Sequence, residues 1–301
     1  MRVLITGHEG FLGSSITQNF LNKGHNVIGI DSKKTNIFRN YKKFSGYKIN
    51  LLSTKKISSL FKKLKKIDFV IHVAAKQPFK KDIQLDKYLK ANFHGTKNLI
   101  EASKEYGVKK IIFCSSFSVY GNEKSPIKEN TLPEPRNTYG LSKYLTENLL
   151  KYYADKYGIK VIVLRFDGIY GKNQNLPGFI KMSFKQAIKN KQVVLFNKGR
   201  LKRDNIYVND AANAVILATK KINKFKFEVF NIGGNNPIST LNIFKKIKKI
   251  SKSKSNITLS KTNLNFSRDI FLDVSKAKKL LKFRPESLDN NLKRMFQNVK
   301  Q

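Results

Sequence analysis

Val3-Leu4-Ile5-Thr6-Gly7-His8-Glu9-Gly10-Phe11-Leu12-Gly13 reads as a buried strand, a glycine turn and the start of a helix. Gly7 permits the tight turn, Gly10 lets a pyrophosphate approach the backbone, and Gly13 lets helix and sheet pack closely. The helix that begins at Phe11 and Leu12 presents free N–H groups and a partial positive charge to a diphosphate. Three glycines alone specify little. Their place directly after the first strand, with an acid at the end of the second, specifies a dinucleotide. That acid is Asp31, closing Gly29-Ile30-Asp31. A carboxylate there accepts hydrogen bonds from the adenosine ribose hydroxyls and repels a 2′-phosphate, so it favours NAD over NADP. Lys33 and Lys34 stand close enough in sequence to meet a phosphate, which keeps NADP as the alternative. His8 is expected to be a loop residue without a chemical role.

Outward from this loop, short β-branched runs alternate with lysine-faced amphipathic stretches. Strands are predicted at Arg2–Thr6, Asn26–Ile30, Lys48–Leu51, Phe69–Val73, Lys110–Ser115, Lys160–Arg165 and Glu228–Ile232. Helices are predicted near Phe11–Lys23, Ile57–Lys65, Asp86–Tyr106 and Tyr139–Tyr157. Continuous apolar strands alternating with helices imply a parallel sheet covered on both faces, the doubly wound α/β arrangement. The pattern loosens after Gly171. We therefore expect a dinucleotide-binding Rossmann domain over 1–170, to which 204–232 returns. A smaller α/β substrate-binding lobe is expected from 171–203 and 233–301, including the lysine-rich stretch Ile243–Lys261.

With 40% hydrophobic residues the chain can bury a core. Its formal net charge of +40 is extreme. Such charge can grip nucleic acid through phosphates. Here the lysines are spread along helix faces, as at Lys62, Lys63, Lys65 and Lys66, where they are solvated, so nucleic acid is not the expected partner. The charge would still attract an anionic small molecule. The single cysteine, Cys114, lies in an apolar strand and is read as a buried side chain. The first strand begins at Arg2, leaving no room for a cleavable leader, and no apolar run approaches a membrane span, so a cytoplasmic location is expected.

Tyr139-Gly140-Leu141-Ser142-Lys143 opens a helical pattern, and the i, i+4 spacing puts Tyr139 and Lys143 on one face. Free tyrosine has a pKa of about 10. To act as a base near neutral pH its phenolate needs stabilising by about 3–4 kcal/mol, which an adjacent ammonium and a cationic nicotinamide can supply together. Lys143 can also hold the nicotinamide ribose. Upstream, Ile111-Ile112-Phe113-Cys114-Ser115-Ser116-Phe117-Ser118 runs a strand into serines at its carboxyl end, where open α/β sheets bind ligands. A hydroxyl there can support a substrate oxygen as its proton leaves.

These motifs, with Ile71-His72-Val73-Ala74-Ala75, Asn92 and Gly95-Thr96-Lys97-Asn98-Leu99, Leu164-Arg165-Phe166, Arg203-Asp204-Asn205-Ile206-Tyr207, Phe230-Asn231-Ile232-Gly233-Gly234 and Asp273-Val274-Ser275-Lys276-Ala277, occur in one order. In that order the chain resembles the extended short-chain dehydrogenase/reductases, the NAD-dependent epimerase/dehydratase family that includes UDP-glucose 4-epimerases. The resemblance implies that Ser116 polarises the substrate, with Ser115 and Ser118 as neighbouring alternatives. It makes Tyr139 the acid/base and Lys143 its tuner. It adds Asn50, Leu51, Ala74, Ala75, Asn92 and Ser115 as cofactor contacts, and Arg203 and Arg268 as substrate contacts near a nucleotide diphosphate; no metal is implied. His72 is read as structural.

The implied reaction is NAD-dependent epimerisation of a UDP- or dTDP-hexose through a transient keto-sugar. The alternatives are a nucleotide-keto-sugar reductase or dehydrogenase, and a non-catalytic dinucleotide-sensing or RNA-binding relative. The family's 4,6-dehydratases carry Asp-Glu directly after the catalytic hydroxyl residue. Here those positions are Phe117 and Ser118, so no 4,6-dehydration is expected. Sugar choice is expected to lie in Gln77–Lys81, Glu123–Glu134 and Asn173–Phe179. A homodimer is implied through Asp86–Tyr106 and Tyr139–Tyr157, with Leu89, Phe93, Leu145, Leu149 and Tyr152 on the pairing faces.

Overall fold

The computed structural model describes residues 1–33, 36–64, 66–78, 84–174, 176–262 and 268–300. Lys34, Lys65, Phe79–Lys81 and Asn175, named above, lie outside them.

Seven parallel strands form one sheet: β1 (Arg2–Thr6), β2 (Asn26–Asp31), β3 (Phe44–Lys48), β4 (Phe69–His72), β5 (Lys110–Ser116), β6 (Lys160–Phe166) and, late in the chain, β11 (Phe227–Ile232). Their order is β11-β6-β5-β4-β1-β2-β3. The order reverses between β1 and β4, and ligands of open α/β sheets bind at the carboxyl ends of the strands flanking such a reversal. Along β1, Val3 and Ile5 join one apolar cluster and Leu4 the other, the period of two that buries both faces. Helices α1 (Phe11–Asn22) and α7 (Val208–Lys221) cover the first face. The second is covered by α2 (Thr54–Leu64), α4 (Gly95–Glu105) and α5 (Thr138–Tyr157). The arrangement is the expected doubly wound fold.

Two predicted elements differ from those observed. The third strand occupies Phe44–Lys48, not Lys48–Leu51. It is an edge strand with Ser45, Gly46 and Lys48 exposed, so it carries no apolar run. Ile49 and Leu51, which suggested a strand, are buried in the turn leading to α2. The single helix expected at Asp86–Tyr106 is α3 (Leu85–Tyr88), then a π-helical turn (Leu89–His94), then α4. Such turns interrupt the helical ladder and re-aim side chains.

A third apolar cluster gathers α6 (Phe179–Ile188), α8 (Thr240–Ser251) and α9 (Leu288–Lys300), with Phe184, Phe244 and Leu292 fully buried. Two small sheets belong to this part: β8 (Val193–Leu195) with β13 (Ile257–Leu259), and β9 (Lys202–Arg203) with β12 (Ile238–Ser239). A third pair, β7 (Ile169–Tyr170) with β10 (Ile206–Tyr207), follows directly on β6 and leads into α7. No helix among the described residues is long and apolar enough to cross a membrane.

Candidate active site

A cleft of about 620 Å³ opens at the carboxyl ends of β1 and β4. That volume suits a cofactor together with a small substrate. Its floor at one end is the glycine loop: Gly7, Gly10, Phe11, Leu12 and Gly13 all line it. Gly7 has φ +73°, and a Cβ there would come within 2.8 Å of the Ala74 backbone. A Cβ on Gly13 would lie 2.0 Å from the Gly7 carbonyl oxygen. Both positions therefore require glycine. Gly10 caps α1 without a side-chain hydrogen bond, and no acid lies in the first turn. The positive end of the helix is left for an anion.

Asp31 lines the same cleft. Its carboxylate accepts from the backbone N–H of Glu9 at 3.2 Å and of Lys33 at 3.0 Å. It is thereby held at the mouth of the loop, with lone pairs to spare for a diol. Asn50, Leu51, Ala74 and Ala75 also line the cleft. Asn50 accepts from the Leu52 N–H at 3.0 Å, which shapes the turn after β3. The cradle, the carboxylate and the small residues fit a dinucleotide.

Asn92 is the cofactor candidate that stands behind the wall. It is buried in the π-helical turn. Its Oδ1 accepts from the Lys76 N–H at 2.7 Å and its Nδ2 donates to Ser142 Oγ at 2.9 Å. It ties the cleft-lining segment after Ala75 to α5. His72 bridges Thr6 at 2.6 Å and Thr96 at 2.7 Å, and burial holds its pKa down at about 3, so it is neutral and structural. His8 lies in the turn between β1 and α1. It is fully buried against Gly29 and the Phe44 ring, and burial lowers its pKa.

At the other end, Ser116, Tyr139 and Lys143 converge on the cleft. Asn137 caps α5 by accepting from the Gly140 N–H at 2.7 Å, which starts the helix where Tyr139 and Lys143 face the sheet. The three serines separate clearly. Ser115 lines the cleft, but its hydroxyl donates to buried Glu147 at 2.5 Å. Ser116 Oγ donates to Ser118 Oγ at 3.1 Å and accepts from the Ser118 N–H at 3.2 Å. Ser116 is also the serine whose side chain acts on the Tyr139 phenol, pulling its pKa down.

The electrostatics differ from the simple expectation. Burial pushes the Tyr139 phenol above its ordinary value, while hydrogen bonds from Ser116 and Gln77 pull the other way. Lys143, 2% exposed, is the group that moves down, to about 8, because burial outweighs the fields of Cys114 and Glu147. Its Nζ donates to the Cys114 carbonyl at 2.7 Å, which fixes the ammonium in place and works against that shift. The protein alone therefore does not poise the phenol, and a further positive charge is needed to complete it. Cys114 is buried with its thiol pushed up to about 12, which leaves it unreactive.

Arg203 and Arg268 come together outside this cleft. The Arg203 guanidinium donates to the carbonyls of Lys202 at 2.7 Å and Arg268 at 2.9 Å. Arg203 lines a separate small cavity with Tyr170, Tyr207, Asp210 and Asn236. Gln77 falls inside a segment expected to choose the sugar, and here it also touches the phenol. Asp167 was not singled out in the sequence, yet it lines the cleft as a buried acid. Its signal there is an acid placed directly after the apolar run of β6.

Comparison with known proteins places this geometry. The model of the NAD dependent epimerase/dehydratase family matches residues 3–233. An uncharacterised UDP-glucose epimerase of Bacillus subtilis is 31% identical over 95% of this chain and 93% of its own length. The UDP-glucose 4-epimerase of Thermotoga maritima, solved with UDP-glucose, superposes with a TM-score of 0.89 at 30% identity, covering 100% of this chain and 99% of that one. The UDP-glucuronic acid 4-epimerase of Bacillus cereus, solved with UDP-glucuronic acid and NAD, gives 0.88 at 29% identity with the same coverage. With the match spanning most of its length and the glycine cradle, Asp31 and the Tyr139–Lys143 pair facing one cleft, the chain belongs to the NAD dependent epimerase/dehydratase family and is an enzyme of that family.

Proposed function

We propose that the protein inverts one ring carbon of a UDP-hexose through a transient keto-sugar, with NAD held along the cleft. The observation that carries this reading is the meeting of Ser116, Tyr139 and Lys143 in the cleft whose far end is the glycine cradle. NAD, when bound, supplies the hydride acceptor and the cationic ring that the buried phenol lacks. Tyr139 takes the proton from the sugar hydroxyl and returns it. Ser116 supports the same oxygen. Lys143, fixed by the Cys114 carbonyl, keeps an ammonium beside the reacting atoms and toward the cofactor ribose. The buried setting strengthens each of these interactions. Phe117 and Ser118 line the cleft where elimination of water would need an acid and a base, so no dehydrated sugar forms.

Incubation with NAD and a panel of nucleotide sugars, read by proton NMR, tests the reading. Epimerisation gives two interconverting hexoses and no net reduced cofactor. Stoichiometric consumption of added NADH would identify a reductase instead. Inactivity with salt-dependent RNA binding would identify a non-catalytic relative.

Asp31 supports NAD over NADP. Asp31→Ser is expected to reduce the ratio of NAD to NADP affinity by about tenfold or more, about 1.4 kcal/mol, measured by titration of each cofactor. We also propose a homodimer. Leu145, Tyr152 and Tyr157 on α5 are exposed, whereas Leu149 packs into the core. Light scattering at micromolar concentration is expected to give twice the chain mass.

A further inference from the structure

We propose that Asp167 selects the sugar: its carboxyl hydrogen-bonds a hydroxyl of a neutral hexose and, once ionised, turns away a hexuronate. This rests on the reading of the cleft as a UDP-sugar site and narrows it.

Ser116 and Phe166 are register partners on neighbouring strands, so Asp167 stands one residue beyond the partner of Ser116. Parallel strands lie about 4.8 Å apart, which sets the carboxyl at the same sheet edge as the reacting groups. The Asp167 N–H donates to the Ile232 carbonyl at 2.9 Å, fixing its backbone. The side chain lines the cleft and is only 5% exposed. One oxygen, Oδ1, accepts from the Gly168 N–H at 2.6 Å. The other, Oδ2, is buried and has no hydrogen-bond partner among the described residues. A buried carboxyl oxygen without a partner is costly, and such a group is sustained where a ligand completes it.

The ligand's chemistry follows from the surroundings. No lysine, arginine or histidine among the described residues forms an ion pair with Asp167. Burial raises its pKa to about 8; the Gly168 N–H opposes this, Asp204 adds to it and Arg203 opposes it. Tyr139, Lys143 and Lys76 are other titratable groups lining the cleft. A sugar hydroxyl serves this carboxyl in either state, accepting from the acid or donating to the anion. A sugar carboxylate can only accept. Beside the ionised form it meets a like charge in a poorly solvated site, where Asp167 has no direct ion pair and Arg203 opposes its charge only at a distance.

Calorimetric titration of UDP-glucose and UDP-glucuronate into the NAD-loaded protein, at pH 7 and pH 9, tests the proposal. In the wild type the affinity for UDP-glucose relative to UDP-glucuronate rises by about tenfold or more from pH 7 to pH 9, where Asp167 is ionised. Asp167→Asn removes the charge and keeps the shape; it is expected to abolish the rise and favour UDP-glucuronate relative to the wild type. Lys143 titrates in the same range, so the variant assigns the effect to the carboxyl. If Asp167→Asn does not fold, Asp167→Ser takes its place in the same titrations. An unchanged wild-type ratio between pH 7 and pH 9, or the same rise in the variant, overturns the proposal and leaves the UDP-sugar reading standing. Loss of binding for both sugars with NAD still bound would bring down both.

Discussion

Tyr139→Phe is expected to lower kcat by about 10²–10⁴-fold, the usual contribution of a positioned acid/base, with the fold and NAD affinity retained. The reasoning is steric as well as chemical. Phenylalanine fills the same space in the buried position below the Tyr88 ring, whose centroid is 6.0 Å away. Only the hydroxyl is removed, and its hydrogen-bonding neighbours Ser116 and Gln77 both border the cleft, where water can replace it. Stability should change by no more than about 1 kcal/mol, the net value of one hydrogen bond. A large rate loss with an unchanged melting temperature separates chemistry from folding. Steady-state epimerisation assays and thermal denaturation check the two halves of this outcome.

Glu147→Ala is expected to cost about 3–5 kcal/mol of stability, the penalty for breaking a buried ion pair by removing one partner. Arg165 Nη2 lies 2.6 Å from Glu147 Oε2, and Arg165 Nε reaches both carboxylate oxygens at 3.2 Å. The side chains are 6% and 4% exposed. Burial alone would lower the Arg165 pKa; the Glu147 carboxylate overrides it and holds the guanidinium above its ordinary value. Without Glu147 that charge is stranded, and the Ser115 hydroxyl loses its acceptor. The pair joins α5 to the register partners Ser115 and Arg165 on β5 and β6, next to Ser116 and the proposed catalytic cluster. Replacing both charged residues by apolar ones of similar size should recover much of the loss. Equilibrium unfolding in urea measures both variants.

The glycine loop and the first strands were legible because their chemistry is local. A turn at Gly7, a cap-free helix start at Gly10 and a carboxylate at Asp31 follow from adjacent residues and the needs of a diphosphate and a diol. The Tyr139–Lys143 spacing was legible because a helix fixes it. What escaped depends on packing at a distance. The edge strand at Phe44–Lys48 has one exposed side and no apolar run. Asn92 acts through Lys76 and Ser142, which no local pattern connects. The lysine-rich stretch after Ile243 was assigned to the smaller lobe without bounds for its elements; it contains α8, whose Ile243, Phe244 and Ile247 are buried while lysines take the other side. Asp167 was not singled out by any local pattern. Its isolation depends on β6 ending beside Ser116 and on where Arg203 turns, toward the carbonyls of Lys202 and Arg268.

The pKa of Tyr139 was also beyond the sequence. Proximity to lysine suggested a lowered value, but depth of burial and the direction of the Lys143 ammonium decide it, and both are tertiary properties.

A UDP-hexose carrying deuterium at the carbon that inverts gives the most direct test, with product and label followed together by NMR. Return of the label to the same carbon of the inverted sugar, with no reduced cofactor accumulating, is the predicted result. Label appearing in water or in free reduced nicotinamide, or no inversion of any hexose by folded, NAD-loaded protein, would contradict it.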